Sequence, residues 1–351
     1  MKVIHILNTI SDSDGVSMHV LQLAKLLLAS GTVPEIVTGK IISARKFEKA
    51  GFAPVEIPEF LHERRSVASM TKAVSRCFAL VRHTGAKIIH SHSHYAANIA
   101  WYASRLAGTS TVQTVHGIIP ERGRLGHFKA NRFICVSEAS LEHLIGLGIS
   151  KDTIHLIRQG VAHTALPKPK FTEREVRVSC ISRLEYEKGV DLFLKTAIDI
   201  MKNHPGFRFT IAGSGSLETE ISKTLSNSKT GIEFIGEAED PFDVLDSTDI
   251  AVFPGRIPNE GFPMIIAEAG MAGCLVISSN FDSLKHVFDE KFDGHVFELG
   301  DAEGLKRKIN HSALNREDSA KRARHFFNKS KRLFDADTFC MKHLEVYGKS
   351  I

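Results

Sequence analysis

Short runs of consecutive apolar residues, each closed by glycine, proline or small polar residues, alternate along this chain with stretches whose apolar positions fall three and four apart. Runs of the first kind have no helical period and predict strands buried on both faces, whereas the second kind predict helices laid against such a sheet. The first series of strands is expected at residues 3–8, 35–38, 87–90, 111–117 and 133–137. Helices are expected at 16–30, with Val20, Leu23, Ala24 and Leu27 inward, and at 67–81, with Val67, Met70, Ala73, Val74, Cys77, Phe78 and Val81 forming one apolar face packed on the sheet. A second series places strands at 176–181, 207–212, 234–235, 249–254 and 274–279, a helix from Pro263 onward, and a last helix at 332–347 through Phe339, Leu344 and Tyr347. Strand, glycine-containing turn and helix repeated in this order is the beginning of a parallel, doubly wound sheet, and it occurs here twice.

A chain of 351 residues exceeds one comfortable core, so two α/β domains are expected. Leu166-Pro167-Lys168-Pro169-Lys170 loosens the pattern between them and reads as the linker. The boundaries that follow are 1–165, 166–330, and a closing segment 331–351. Residues 43% hydrophobic and 24% charged describe an ordinary globular chain and exclude global disorder. No window approaches the apolar length needed to cross a bilayer, and the opening apolar run is too short for a signal peptide, so the expected location is the cytoplasm. The five cysteines are scattered without paired ligand spacing, which predicts reduced thiols and no zinc site.

Charge changes the picture further. Residues 1–165 carry 19 Lys/Arg against 11 Asp/Glu, net +8, while 166–351 carry 26 against 29, net −3. The first half is therefore expected to meet something anionic. Nucleic acid is not the expected partner, because no stacking motif or basic-aromatic module accompanies the charge.

Candidate chemistry gathers where predicted strands end. Glu260 and Gly261 fall at or just before a helix N-terminus, where unpaired amide donors favour an anionic or hydroxyl-rich ligand. Glu268 lies about two turns on and on the same side. Arg183 and Lys188, five residues apart around the turn after the strand at 176–181, are suited to clamp two phosphates, one as a fork and the other as a point charge. His90, His92 and His94 alternate after a strand, but no Cys or carboxylate completes a ligand set nearby, so cleft-lining residues are expected in place of a metal site. Asp12-Ser13-Asp14 has the look of an Asp-X-Asp metal motif; an exposed turn is the expected reading, and no metal is assigned.

The stretch EGFPMIIAEAGMAG, following the strand at 249–254, closely resembles the signature of the family-four retaining glycosyltransferases, which have the GT-B fold. Further segments resemble the family in its order: residues 86–94, Thr114-Val115-His116-Gly117, Ser137-Glu138, Arg183-Leu184 with Lys188-Gly189, Gly213-Ser214-Gly215, and Phe234-Ile235-Gly236. The resemblance implies two Rossmann-like doubly wound parallel-sheet domains facing a central cleft, the first binding acceptor, the second binding donor, and a last helix crossing back to the first. It implies a retaining hexosyl transfer from a nucleotide sugar, a UDP-sugar ahead of a GDP-sugar, with no cofactor and no metal. His116, Arg183, Lys188 and Glu260 would be catalytic. Gly15, Gly213, Gly261, Phe262, Pro263 and Glu268 would hold the donor, Glu268 at the ribose. The acceptor would be a glycan or lipid-linked saccharide in polysaccharide or lipopolysaccharide assembly. His94, Arg64, Arg65, Arg122 and Arg124 are candidates for the acceptor or for peripheral contact with an anionic membrane at its inner face. This chain departs from the family by having one glycine, Gly15, in its first turn, and Leu275 where the family has proline. Those departures leave two alternatives, a nucleotide-sugar-binding partner subunit without turnover and a transferase acting on a soluble small molecule.

Overall fold

The first apolar run becomes the central strand of a parallel sheet. In the computed structural model, which describes residues 1–64, 66–117, 128–163, 165–227, 231–258 and 262–351, this strand is β1 (Lys2–Ile10), followed by α1 (Gly15–Ala29), β2 (Val33–Ile41), α2 (Arg45–Lys49), β3 (Val55–Glu56), α3 (Val67–Thr84), β4 (Ile88–Ser91), α4 (His94–Ala107), β5 (Ser110–Val115), β6 (Arg132–Cys135), α5 (Glu138–Gly146) and β7 (Ile154–Leu156). The second series continues with β8 (Val176–Ile181), α6 (Val190–Asn203), β9 (Phe207–Ala212), α7 (Glu218–Asn227), β10 (Glu233–Phe234), α8 (Phe242–Leu245), β11 (Ile250–Phe253), α9 (Met264–Met271), β12 (Leu275–Ser279), β13 (Gly294–Phe297), α10 (Ala302–Leu314), α11 (Arg316–Leu333) and α12 (Ala336–Gly348).

Two units emerge, Met1–Gly160 with Ala336–Ile351, and Val161–Asp335. The first sheet runs β3-β2-β1-β4-β5-β6-β7 and the second β10-β9-β8-β11-β12-β13. Every pairing in both is parallel. Burial on both faces explains why the strands read as unbroken apolar runs. The protein is thus α/β with two doubly wound sheets.

Helix ends follow local chemistry. Asp14 caps α1 by accepting from the Ser17 amide, Ser66 and Ser93 cap α3 and α4 in the same way, and Ser137 with Ser140 forms a capping box on α5. Helix α12 belongs to the first unit. Phe339, Val346 and Tyr347 join Val3, Leu23, Leu27, Ile88, Val112 and Ile134 in one buried cluster.

Several expectations need correction. The helix expected at 332–347 is two helices, because Phe334 is buried among Val161, Ala267, Met271 and Val287 of the second unit and its carbonyl accepts from the Val161 amide at 2.8 Å. Residues 331–335 therefore close the second unit, and the units part at 160 and 335. Val67 opens α3 at 86% exposure and is not part of its inward face, which rests on Ala73, Cys77 and Val81. The turn at Asp12 is not exposed: its carboxylate is buried and accepts from the Arg45 and Lys46 amides at 3.1 and 3.0 Å, anchoring α2. Strands β3, β7 and β13 escaped sequence reading because two to four residues carry too little period.

Candidate functional site

In the second unit the strand order reverses between β8 and β11, and ligands of open parallel sheets gather outside the carboxyl ends at such a point. The chain leaving β8 makes a turn that includes Tyr186–Lys188. Two glycines weld this turn to its neighbours. Gly213, just past β9, has φ +140°, and a Cβ there would sit 1.8 Å from the Ser182 carbonyl oxygen. Gly189, at φ +68°, would place a Cβ 1.9 Å from the carbonyl oxygen of Pro254, just past β11. Only glycine permits both approaches.

Hydrogen bonds complete the assembly. The Leu184 amide donates to Ser214 O at 2.9 Å, and the Leu217 amide to Leu184 O at 2.9 Å. The Glu185 carboxylate accepts from the amide and the hydroxyl of Ser216, which hold it below the usual carboxylate range. Arg256, in the loop after β11, donates its backbone N–H to Glu187 O at 2.8 Å and its guanidinium to both Asp191 carboxylate oxygens at 2.7 and 2.8 Å. The same guanidinium lies 4.1 Å from the Tyr186 ring centre. Arg183 stands exposed on this scaffold, and Lys188 is half-buried with its amide donating to Glu185 O at 3.0 Å.

Helix α9 follows β11 and its loop within the same unit. Pro263 was expected inside its first turn and stands one residue earlier, as the N-cap, at φ −68°. Phe262 stacks on Phe334 with ring centres 5.3 Å apart, and Glu268 is half-buried on the helix. Glu260 and Gly261 lie outside the described residues, as do Arg65, Arg122 and Arg124.

In the first unit the reversal falls between β1 and β4. Gly15 opens α1, exposed and with none of the described protein atoms within 4 Å of a Cβ built there. Arg64 is exposed ahead of α3. His94 starts α4 and turns toward Phe128, ring centres 5.2 Å apart, with Gln113 Nε2 3.2 Å from its Nδ1. It thus separates from His90 and His92, whose rings are 4.3 Å apart.

His92 is the centre of a histidine cluster drawn from five segments, buried except at His116, which is half-buried. His5 of β1 pairs across the sheet with His90 of β4. His5 Nδ1 is 3.1 Å from His92 Nε2, and His92 Nδ1 is 3.2 Å from His116 Nε2. His19 of α1 meets the His116 ring edge-on at 4.7 Å between centres and hydrogen-bonds Gln159 Oε1 through Nδ1. His343 of α12 completes the group. Burial disfavours their charged forms and the neighbouring histidines add to it: His5 falls to about 3, and His90, His92 and His116 drop well below the ordinary imidazole range. Burial likewise lowers His343 to about 3 and His19 to about 4, the latter against the opposing effect of Gln159. The rings are therefore neutral near pH 7. Among the described residues two trios, His5–His90–His92 and His19–His92–His116, bring ligand nitrogens within 4.8 Å of one another.

Sequence reading missed Asp191 and Arg256, whose pairing spans 65 positions without a periodic signal, and it missed the cluster. One signal was present: His19 sits four residues before Leu23 on the inward face of α1, and His5 interrupts the apolar run from Val3 to Leu7.

Two family models match adjoining parts of the chain, "Glycosyltransferase Family 4" over residues 13–164 and "Glycosyl transferases group 1" over residues 163–331. A relative from Escherichia coli, a UDP-Gal:alpha-D-GlcNAc-diphosphoundecaprenol alpha-1,3-galactosyltransferase, is 26% identical over 265 residues, covering 67% of this chain and 68% of its own. Other curated relatives are matched over less of their length, 61% and 48% in two cases. Among solved structures, a glycosyltransferase from Rickettsia africae superposes with a TM-score of 0.81 at 19% identity, covering 99% of this chain and 98% of that one. Anabaena HepE in complex with UDP-glucose superposes at 0.79 with 18% identity, covering 99% and 100%. The fold is GT-B.

Proposed function

The chain belongs to glycosyltransferase family four, and we propose that it moves a hexosyl unit from a nucleotide sugar, a UDP-sugar ahead of a GDP-sugar, to a lipid-linked saccharide in glycan or lipopolysaccharide assembly. The observation that carries this reading is the welded turn at the reversal point of the second sheet, which holds Arg183 and Lys188 over the carboxyl ends of β8 and β11. Departure of a nucleoside diphosphate builds negative charge, and two preorganised cations stabilise it without a metal. Glu268 would take the ribose hydroxyls and Glu260 the sugar hydroxyls, with His116 and the backbone at 261–263 orienting the sugar. The acceptor hydroxyl attacks the anomeric carbon on the face from which the diphosphate leaves, so configuration is retained. One carbon–oxygen bond forms as the other breaks, and the hydroxyl proton passes to the departing phosphate.

The acceptor assignment draws on charge. The first half carries net +8, and the Escherichia coli relative acts on a diphosphoundecaprenol-linked sugar. A diphosphate on a lipid is an anion at a membrane face, which suits Arg64, Arg65, Arg122, Arg124 and His94 and a peripheral position there. Among the described residues no helix is long and apolar enough to cross a membrane.

The test is release of nucleoside diphosphate from a panel of UDP-, GDP- and ADP-sugars with EDTA present, with and without polyprenyl-diphosphate sugars. Release from one donor, abolished by Lys188→Ala and by Glu260→Ala, is the expected result. Donor binding without release under every acceptor would point to a non-catalytic subunit instead, and absence of binding would end the nucleotide-sugar reading.

A further inference from the structure

His19, His92 and His116 converge from α1 and from the segments that follow β4 and β5, and one nitrogen of each lies within 4.8 Å of the others. The 3.2 Å between His92 Nδ1 and His116 Nε2 is close to the ~3.4 Å that separates two nitrogens each ~2.1 Å from a tetrahedral zinc ion. His19 is oriented for the same purpose. Its Nδ1–H donates to the Gln159 carbonyl oxygen, which fixes the tautomer and leaves the Nε2 lone pair, buried and without a partner among the described residues, as the ligand atom. The His92 tautomer that donates from Nε2 to His5 Nδ1, 3.1 Å away, keeps its Nδ1 lone pair for the ion, and the hydrogen bond between His92 Nδ1 and His116 Nε2 is exchanged for two bonds to the metal as the His116 proton moves to its Nδ1. The alternative trio is less suited, because ligation by His90 would break a bond to a hydroxyl outside the trio, Tyr347 or Thr114 at 2.7 Å each, whereas the His92–His116 bond joins the two ligands themselves.

The donor set decides the ion. Three neutral imidazoles with no carboxylate select a late, borderline-soft divalent cation and offer nothing to Mg2+ or Ca2+, which need oxygen ligands. We propose that His19, His92 and His116 bind one late divalent transition-metal ion such as Zn2+, and that the bound ion inhibits the transferase by taking His116 out of its role toward the sugar. The binding half stands on geometry; the inhibitory half rests on the function proposed above.

The experiment uses the untagged, EDTA-stripped full chain titrated with Co2+, whose four-coordinate complexes absorb strongly in the visible. The expected result is one equivalent of four-coordinate Co2+, displaced stoichiometrically by Zn2+ and unaffected by Mg2+. Loss of the signal is expected in His116→Ala and His19→Gln. In Gln159→Ala, which keeps all three ligands, affinity is expected to fall about 10- to 100-fold. A wild-type chain that gives no four-coordinate signal overturns the site, as does a signal that survives both ligand substitutions. If the metal binds but nucleoside diphosphate release is unchanged by one equivalent of Zn2+, the site stands and the inhibition is refuted. Absence of release with or without metal would instead count against the transferase reading, leaving the Co2+ result to be judged alone.

Discussion

Gly189→Ala is the sharpest test of the welded turn. The native φ of +68° costs an alanine about 1–2 kcal/mol in a left-handed conformation. The new methyl would also lie 1.9 Å from the Pro254 carbonyl oxygen, against 3.4 Å for an ordinary contact, so the loops must part by about 1.5 Å. That movement carries Lys188, one residue away, off its position, and a misplacement of about 1 Å is worth roughly 100-fold in rate. The expected outcome is a fall of about 100-fold in kcat/KM for the nucleotide sugar, measured by nucleoside diphosphate release, in a protein that still unfolds cooperatively. Gly206→Ala is the control: it is exposed, its φ is ordinary and nothing lies within 4 Å of the added carbon, so stability and kcat/KM should change by less than about twofold. A Gly189→Ala protein with wild-type kcat/KM would refute the argument that backbone approach at this turn positions Lys188 for the proposed reaction.

Three other outcomes follow from the structure. Arg256→Lys keeps the charge but loses the paired bonds to Asp191 and the stacking on Tyr186, and a loss of about 1–3 kcal/mol in donor binding is expected by calorimetry; unchanged affinity would show that the clamp is dispensable. Asp249 is fully buried and accepts from the Phe171 amide and from the backbone and guanidinium of Arg177, so Asp249→Ala should destabilise the protein by about 3–5 kcal/mol in urea unfolding, and a loss under 1 kcal/mol would contradict this. His295 is 5% exposed, and burial, with help from Lys308 and Arg322, lowers its pKa to about 4. The unfolded chain binds this proton first as pH falls below about 6.5, so stability is lost on acidification, by about 2 kcal/mol at pH 5 for this one group. His295→Gln should flatten the melting temperature between pH 6.5 and 5, and an unchanged slope would place the acid sensitivity elsewhere.

Much of the fold was legible because it is written in local pattern. Buried parallel strands have to be continuous apolar runs, and β8 and β9 coincide with the expected residues 176–181 and 207–212. The family was legible for a related reason: its segments set residue type at fixed spacing, as in Arg183, Lys188 and Gly189. What spacing cannot carry is contact between distant segments. Nothing in the sequence pairs Gly189 with Pro254, 65 residues later, and Asp12, expected in an exposed turn, is buried because α2 rests on it. The same holds for the break at Phe334, whose side chain is claimed by the second unit while Phe339, five residues on, is buried in the first. Sequence alone determined where strands and helices form and which reaction family they serve, because those depend on neighbours in the chain. Tertiary structure alone decided which histidines meet, since His5, His19, His92, His116 and His343 share no period and become one cluster only when β1, α1, β4, β5 and α12 pack around a common point.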